Sequence, residues 1–146
     1  MALGRALSAA IVGVTATIVD VEANVGPGLP RIQIVGLADT AISESRDRMK
    51  TAVANSQLHW PKTKVVVSLS PASMPKAGSH FDVAMCLAIL TASSTDPLVR
   101  QRLSDTVLLG EVGLDGSLRP VAGVLPVLMA ARRAGLRRVI VPQGNA

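Results

Sequence analysis

The hydrophobic pattern of this chain changes its period at Asp39, and that change constrains the fold more than any other feature. Before Asp39, apolar and polar residues alternate through residues 19–25, which is typical of a half-buried strand. After it, Met49 and Val53 lie at helical spacing, which predicts an amphipathic helix with Asp39 as its N-cap and its end near residue 56. In 146 residues, these two patterns predict one α/β domain with a single core.

The remaining segments extend this α/β pattern along the chain. Strands are predicted near residues 5–12, 14–25, 31–35, 64–70 and 137–141, with a hairpin over 106–120 that turns at Asp115-Gly116. Helices are predicted over 39–56, 78–90, from Asp96-Pro97 onward, and over 123–134 before Gly135. The run 64–70 is almost fully apolar, which favours a central strand buried on both faces.

The chain is basic, with 15 Lys and Arg residues against 10 Asp and Glu, a net charge of +5 and a pI near 10.4. This charge permits attraction to phosphate or acidic surfaces, although a solvated basic surface is the commoner explanation. Glu44 and Arg48 stand four residues apart and can pair across the exposed face of the first helix, while Arg46 and Lys50 border its apolar stripe. Solvated helix charges explain these residues as simply as a ligand-binding role does.

Several residue types are too scarce to build common functional sites. Trp60 and Phe81 are the only aromatic residues, which excludes the stacking platforms of RRM and OB folds. The lone Cys86 excludes a disulfide framework and any multi-cysteine metal site; it fits a reducing cytoplasm, and we expect it to be buried. His59 and His80 lie far apart without partners at metal-ligand spacing, so neither a metal nor a cofactor is expected.

The apolar runs are too short to cross a membrane. None reaches the ~18 residues that a bilayer-spanning helix needs. The start of the chain does imitate a short signal peptide, with Arg5 before an apolar stretch. That stretch continues without a break into the alternating pattern of a strand, so we expect it to be structural and the protein to be cytoplasmic.

Catalytic patterns are weak in this sequence. No Gly-x-x-x-x-Gly-Lys-Ser/Thr stretch occurs, so this chain alone is not expected to hydrolyse ATP. Ser68, Ser70, Ser73 and Ser79 gather near the end of the predicted central strand, where open α/β sheets place active sites. A serine nucleophile needs a base, and Lys76 is the lysine in the same loop. Without a fold that brings these groups together, the pattern does not favour catalysis.

Four blocks of the sequence resemble one protein family in the same order. They are residues 35–46, residues 68–72, residues 78–90 with Phe81-Asp82, and residues 110–126, which begin Gly-Glu-Val-Gly-Leu-Asp-Gly. Together they resemble the N-terminal domain of the ComM/YifB proteins, which are bacterial magnesium-chelatase-like AAA+ ATPases. The resemblance covers nearly the whole chain and is far more specific than any single motif.

This resemblance implies a single Lon-protease-like α/β domain over residues 1–146, with a mixed sheet packed against helices. In the family this domain precedes an AAA+ motor, so a motor that binds ATP and Mg²⁺ is expected beyond residue 146. Family members of the ComM type are hexameric DNA helicases that promote branch migration in natural transformation. The expected partners are therefore the chain's own motor, neighbouring subunits and DNA.

The same resemblance allows the catalytic dyad of Lon to be compared with this sequence. A gapless match places His80 at the position of the Lon serine and Leu125 at the position of the Lon lysine. Ser79 is one residue from the first position, but no lysine occurs between Ala122 and Ala131. An arginine cannot replace that lysine as a general base, because it keeps its proton near neutral pH. We therefore expect a domain that is not a peptidase.

Basic residues suggest a role in handling DNA. The candidates for phosphate contact are Arg132, Arg133, Arg137, Arg138, Lys62 and Lys64. The helix dipole alone also favours cations at a helix C-terminus. The sequence thus predicts a non-catalytic assembly and DNA-associated domain. A protein-binding adaptor or an active serine peptidase is the alternative, and a true magnesium-chelatase subunit is less favoured because nothing suggests a porphyrin site.

Overall fold

The computed structural model describes residues 2–71, 74 and 76–146, which form one mixed α/β domain and confirm the predicted fold class. The strands are β1 (Ala2–Val12), β2 (Thr15–Gly26), β3 (Arg31–Val35), β4 (Lys64–Ser70), β5 (Thr106–Leu108), β6 (Glu111–Val112), β7 (Leu118–Arg119) and β8 (Arg138–Ile140). The helices are α1 (Asp39–Asn55), α2 (Asp82–Thr91), α3 (Pro97–Ser104) and α4 (Val124–Arg133), with short 3₁₀ turns at Ser79–Phe81 and Gln143–Asn145.

A mixed sheet runs through the middle of the domain in the strand order β3-β4-β2-β1-β5-β8. β1 and β2 form a long antiparallel hairpin around a two-residue turn, at which Gly13 adopts a φ of 61°. β4 pairs antiparallel with β2, whereas the β3–β4, β1–β5 and β5–β8 pairs are parallel. The edge strands β3 and β8 are separated by five strand spacings, or roughly 24 Å.

The core is divided between the two faces of this sheet. On one face, Val21 and Val67 are fully buried in a cluster that also contains residues of α1 and α2. On the other face, Ala9 and Val107 are buried with Val127 of α4. β4 buries only alternate residues, so the expectation of burial on both faces is wrong. The reason is that α4 packs mainly on β1, β2 and β8.

Two local expectations also change. Asp39 is the first residue of α1 rather than its N-cap; Ala38 holds the N-cap position, and its backbone N–H donates to the Lys76 carbonyl at 3.1 Å. The hairpin is confirmed only for β6 and β7, because β5 leaves it and pairs with β1 through Leu7 and Val107.

α2 lies directly against β1 at Gly4. A Cβ at this position would lie 1.9 Å from the Ala88 carbonyl oxygen and 3.0 Å from the Ala92 Cα. Because the interior is close-packed, any side chain larger than hydrogen would push the helix away from the sheet. Gly4 therefore sets the distance between α2 and β1.

α2 is apolar on nearly all sides and packs between the sheet and α1. Its Cys86 is buried as expected, and burial raises the pKa of the Cys86 thiol to about 12. None of the described helices is long and apolar enough to cross a membrane.

Candidate functional site

A buried charge network centres on Asp82, the first residue of α2. Its fully buried carboxylate accepts hydrogen bonds from Ser45 Oγ at 2.8 Å, from Arg48 Nε at 2.7 Å and from Arg48 Nη2 at 3.1 Å. The backbone N–H of Val112 donates to the same carboxylate at 3.3 Å. Since Ser45 and Arg48 belong to α1 and Val112 to β6, the network ties both helices to the small hairpin.

The electrostatics of this network are those of a structural ion pair. Burial raises the pKa of Asp82, while the Arg48 guanidinium and the Ser45 hydroxyl act against that rise. The hydrogen bond from Arg48 to Asp82 raises the pKa of Arg48, which holds the guanidinium charged. The expected pairing of Arg48 with Glu44 is present only as a 3.9 Å contact, so Arg48 is not the solvated helix charge that the sequence suggested. Its principal partner is Asp82, 34 residues away in the chain.

His80 lies in the 3₁₀ turn before α2 and is held in one orientation. Its ring Nε2 lies 2.8 Å from the Ala9 carbonyl oxygen of β1, and its own carbonyl accepts from the Gly110 N–H at 3.1 Å. Burial lowers the pKa of His80, which favours a neutral ring at pH 7. Gly78 before it adopts a φ of 108°, and a Cβ there would lie 2.9 Å from His80 Nδ1. The ring is thus a packed group bonded to the sheet.

The two segments that the sequence analysis matched to the halves of the Lon dyad meet around a cavity of about 370 Å³. Residues 78–80 and 120–122 line this cavity, so the structure brings the His80 position next to the start of α4. Leu125 lies further along α4 with 67% of its surface exposed, and it is not among the described residues that line the cavity. None of those lining residues is a lysine.

The serines that the sequence analysis grouped lie on different elements in the part of the chain that the structure describes. Ser68 and Ser70 are half-buried in β4, and Ser79 begins the 3₁₀ turn before α2. Ser73 lies outside the described residues. The described serines therefore belong to two separate elements.

Lys76, the lysine of this loop, is engaged by backbone carbonyl groups. Its buried Nζ donates to the carbonyl of Pro71 and, at 2.8 Å, to that of Met74. Burial lowers the pKa of Lys76, and the two carbonyl groups accept hydrogen bonds from two of the three N–H donors of its ammonium. Lys76 thus fastens its own loop beside α1.

Four of the predicted phosphate-binding residues lie at one edge of the sheet, and we call them the β8-edge arginines. Arg132 and Arg133 are exposed in the last turn of α4, while Arg137 and Arg138 are exposed at the start of β8. The backbone N–H of Arg137 donates to Asp105 Oδ1 at 3.3 Å. Within residues 2–71, 74 and 76–146, none of these arginines forms an ion pair.

The other two predicted residues, Lys62 and Lys64, lie at the opposite edge. Lys64 begins β4 in register with Arg31 of the edge strand β3. Lys62 lines an open groove of about 700 Å³, which we call the Trp60 groove. It is lined by Trp60 and by the cations Arg31, Arg46, Lys50 and Lys62. The six candidates therefore form two groups rather than one surface. One group lies beside the edge strand β8, and the other lies at β4, four strand spacings or roughly 19 Å from β8.

α4 carries an apolar stripe that the sequence analysis did not identify. Leu125, Leu128 and Met129 are 67%, 44% and 53% exposed, whereas Val127 and Ala130 on the same helix are buried. Spacings of three and four residues place the exposed residues on one face, directed away from the sheet. In the sequence these residues form a second apolar stripe beside the buried one. That stripe could have been detected, because a surface helix usually carries polar residues on its outer face.

No group of three or more His, Cys, Asp or Glu residues that could hold a metal ion occurs in the part of the chain that the structure describes. Asp82 is surrounded by donors from the protein itself, and the cavity beside His80 has no carboxylate among its described lining residues. The expectation of no cofactor in this domain stays a prediction.

Comparison with known proteins identifies relatives along almost the entire chain. Residues 21–145 match the family described as subunit ChlI of Mg-chelatase. An uncharacterized protein of Mycobacterium tuberculosis is 48% identical over 145 residues, which are 99% of this chain and 28% of that protein. YifB of Escherichia coli is 36% identical over 145 residues (99% of this chain, 28% of YifB), and the competence protein ComM of Haemophilus influenzae is 36% identical over 146 residues (100% and 28%).

The chain thus spans 28% of the length of these relatives. A more distant similarity links it to the Lon protease of Mycolicibacterium smegmatis, with 28% identity over 151 residues, 97% of this chain and 18% of the protease. Three of the four sequence blocks that carry the resemblance meet at Asp82, because they contain Ser45, Asp82 itself and Val112. These blocks therefore contain three of the four residues that join α1, α2 and β6, and Arg48 lies two residues beyond the first block.

Proposed function

Because this chain belongs to the magnesium-chelatase-like family that includes ComM and YifB, we propose that it is the non-catalytic N-terminal domain of an AAA+ protein, with a role in assembly and DNA association. The motor would follow residue 146, bind ATP and Mg²⁺, and form a hexameric DNA helicase that acts in branch migration during transformation and recombination. Its compartment would be the cytoplasm. The observation that carries this proposal is the exposed apolar stripe of α4.

The position of this stripe supports a contact with the motor of the same protein. The Asn145 side chain forms two hydrogen bonds with the backbone of Val121, just before α4. Its Nδ2 donates to the Val121 carbonyl at 2.8 Å, and its Oδ1 accepts from the Val121 N–H at 2.9 Å. A chain that continues from this point leaves the domain beside α4. The stripe of Leu125, Leu128 and Met129 then offers apolar surface that a following domain would bury.

The β8-edge arginines support the DNA-associated part of the role. Arg132 and Arg133 continue along α4 from the apolar stripe, and both are exposed without a carboxylate partner among the described residues. Such cations neutralise phosphates without selecting a base sequence. A surface that is apolar at one end and basic at the other suits a domain located between a motor and its DNA.

The geometry around His80 supports a domain without peptidase activity. A serine–lysine dyad needs a nucleophile and a base within hydrogen-bond distance. In the gapless match to Lon, the position of the nucleophile is taken by His80, whose ring Nε2 lies 2.8 Å from the Ala9 carbonyl oxygen, and the position of the base is taken by the exposed Leu125. This arrangement argues against the alternative of a Lon-type peptidase.

The assembly role can be tested in the longer protein that carries the motor. We expect Leu128→Glu with Met129→Glu to reduce the hexameric fraction in analytical ultracentrifugation, since two charges would enter an apolar contact. Leu29→Glu is the control, because Leu29 is 87% exposed in the β2–β3 turn, at the other end of β2 from the residues that pack on α4. An unchanged hexamer in the α4 variant would contradict the proposal.

The DNA role can be tested with this chain and with the longer protein. We expect Arg132→Glu with Arg133→Glu to weaken binding of labelled DNA and to flatten its salt dependence. Arg100→Glu with Arg119→Glu lowers the net charge by the same amount at exposed residues of α3 and β7, and is the control for net charge. Binding that is unaffected by the arginine reversal would remove these residues from the DNA path.

The α4 stripe also supports a second candidate function, a docking surface for a separate protein. In that case the Leu128 and Met129 variants would leave the hexamer intact but abolish capture of the partner. The two functions are therefore separated by the same pair of substitutions.

A further inference from the structure

We propose that the Trp60 groove binds a short segment of single-stranded nucleic acid, with phosphates against its four cations and one base stacked on Trp60. The proposal rests on the DNA association proposed above for its choice of polymer. It assigns a new site on the edge of the sheet opposite the β8-edge arginines.

Four cations converge on this groove from separate parts of the chain. Arg31 begins β3, Lys62 precedes β4, and Arg46 and Lys50 lie one helical turn apart on α1. No acidic side chain is among the described residues that line the groove. None of the four cations forms an ion pair within residues 2–71, 74 and 76–146, whereas Arg48 on the same helix is paired with Asp82. The groove therefore combines like charges that a polyanion would neutralise.

Trp60 indicates which class of polyanion the groove binds. It is half-buried and packs against the core, so the protein itself positions its indole ring at the groove. Proteins that bind single strands combine cations along the backbone with aromatic rings on which bases stack, a contact that tolerates any sequence because every base has a π-face. Trp60 alone can hold one base, which is less than the multi-aromatic platforms that the composition excludes. An acidic peptide would satisfy the cations but would leave this ring without a partner. In a duplex the bases are already stacked on one another, so a single strand fits the groove better.

The sequence provides a built-in probe of this site. Trp60 is the only tryptophan and the chain has no tyrosine, so intrinsic fluorescence excited at long wavelength reports on the groove alone. We expect a twelve-nucleotide oligothymidylate to quench this fluorescence. With four phosphates neutralised, the logarithm of the binding constant should fall against the logarithm of salt concentration with a slope of about −2.8.

Substitutions separate this site from the β8-edge arginines. Lys50→Glu with Lys62→Glu should reduce oligothymidylate affinity at least tenfold, and Trp60→Leu, followed by anisotropy of a labelled oligonucleotide, should reduce it about tenfold. Arg132→Glu with Arg133→Glu is the matched double reversal and should leave the quenching unchanged. Circular dichroism verifies that each variant is folded; the two lysines are exposed, so their reversal remains informative where Trp60→Leu does not fold.

The outcomes are distinct. Quenching that the groove reversal abolishes and the arginine reversal preserves supports the proposal. Oligonucleotide binding without quenching, lost on reversal of the arginines, overturns the groove and keeps the proposed DNA association. No binding of either kind at low salt overturns both. Equal quenching by polyglutamate shows a general polyanion site and overturns the assignment to nucleic acid.

Discussion

Asp82→Ala tests the structural role of the buried charge network. The substitution removes the acceptor of four hydrogen bonds, two from Arg48 and one each from Ser45 and the Val112 N–H. Breaking a buried ion pair at one partner destabilises a protein by about 3–5 kcal/mol. The Arg48 side chain is 21% exposed and lies 3.9 Å from Glu44, so it regains some solvation, and we expect a loss of about 3 kcal/mol.

Urea unfolding measures this loss. With a slope of about 2 kcal/mol per molar urea, the midpoint should fall by about 1.5 M. Asp47→Ala, an exposed carboxylate on the same helix as Arg48, is the control and should change stability by less than about 0.5 kcal/mol.

A double variant isolates the pair itself. Arg48→Met alone leaves the Asp82 carboxylate buried without its cation, whereas Arg48→Met with Asp82→Leu removes both charges. The free energy of unfolding of the double variant should therefore fall by at least about 1 kcal/mol less than the sum of the decreases in Arg48→Met and Asp82→Leu. Strict additivity, or an Asp82→Ala variant as stable as Asp47→Ala, would refute this account of the network.

Three further predictions follow from single side chains. Burial lowers the pKa of His80 below its ordinary 6.5, so the unfolded chain takes up that proton first and stability should fall as the pH drops below 6.5. His80→Gln should reduce this loss, measured as urea midpoints near pH 5. Gly4→Ala should lower the free energy of unfolding by about 1–3 kcal/mol, because its Cβ would overlap the Ala88 carbonyl oxygen of α2. Gly26→Ala should change it little, because a Cβ there would meet only the Asn24 side chain, at 3.4 Å. Cys86, buried with a pKa of about 12, should react with a thiol reagent at pH 8 only as fast as the chain unfolds, and a rapid native reaction would contradict its burial.

Local patterns predict the elements of this fold well where neighbours in sequence determine them. The boundaries of β3 follow from the turn residues before it and its alternation, and the buried face of α1 follows from the spacing of Met49 and Val53. The burial of β4 could not be predicted in this way. Val66 looks as apolar as Val65 and Val67, and its partial exposure depends on which strands α4 covers.

The candidate sites depend even more on contacts that are distant in sequence. The sequence predicts Glu44 as a partner for Arg48, because the two are four residues apart. Asp82 becomes the main partner of Arg48 only when α1 and α2 pack together. Arg31 joins Lys62 because β3 pairs in parallel with β4, and no local pattern indicates that pairing. Of the four groove cations, the sequence named only Lys62 as a candidate for phosphate contact, and the topology decided which cations lie beside it.

The edge strands limit how copies of this domain can join. β3 has five residues and follows Pro30, and β8 has three residues and is followed closely by Pro142, so each edge offers few free backbone groups to an incoming strand. Extension of the sheet from one copy to the next is disfavoured at both edges. Copies of this domain that associate would therefore join through helices and loops, and they would keep freedom to rotate against one another that a shared sheet would remove.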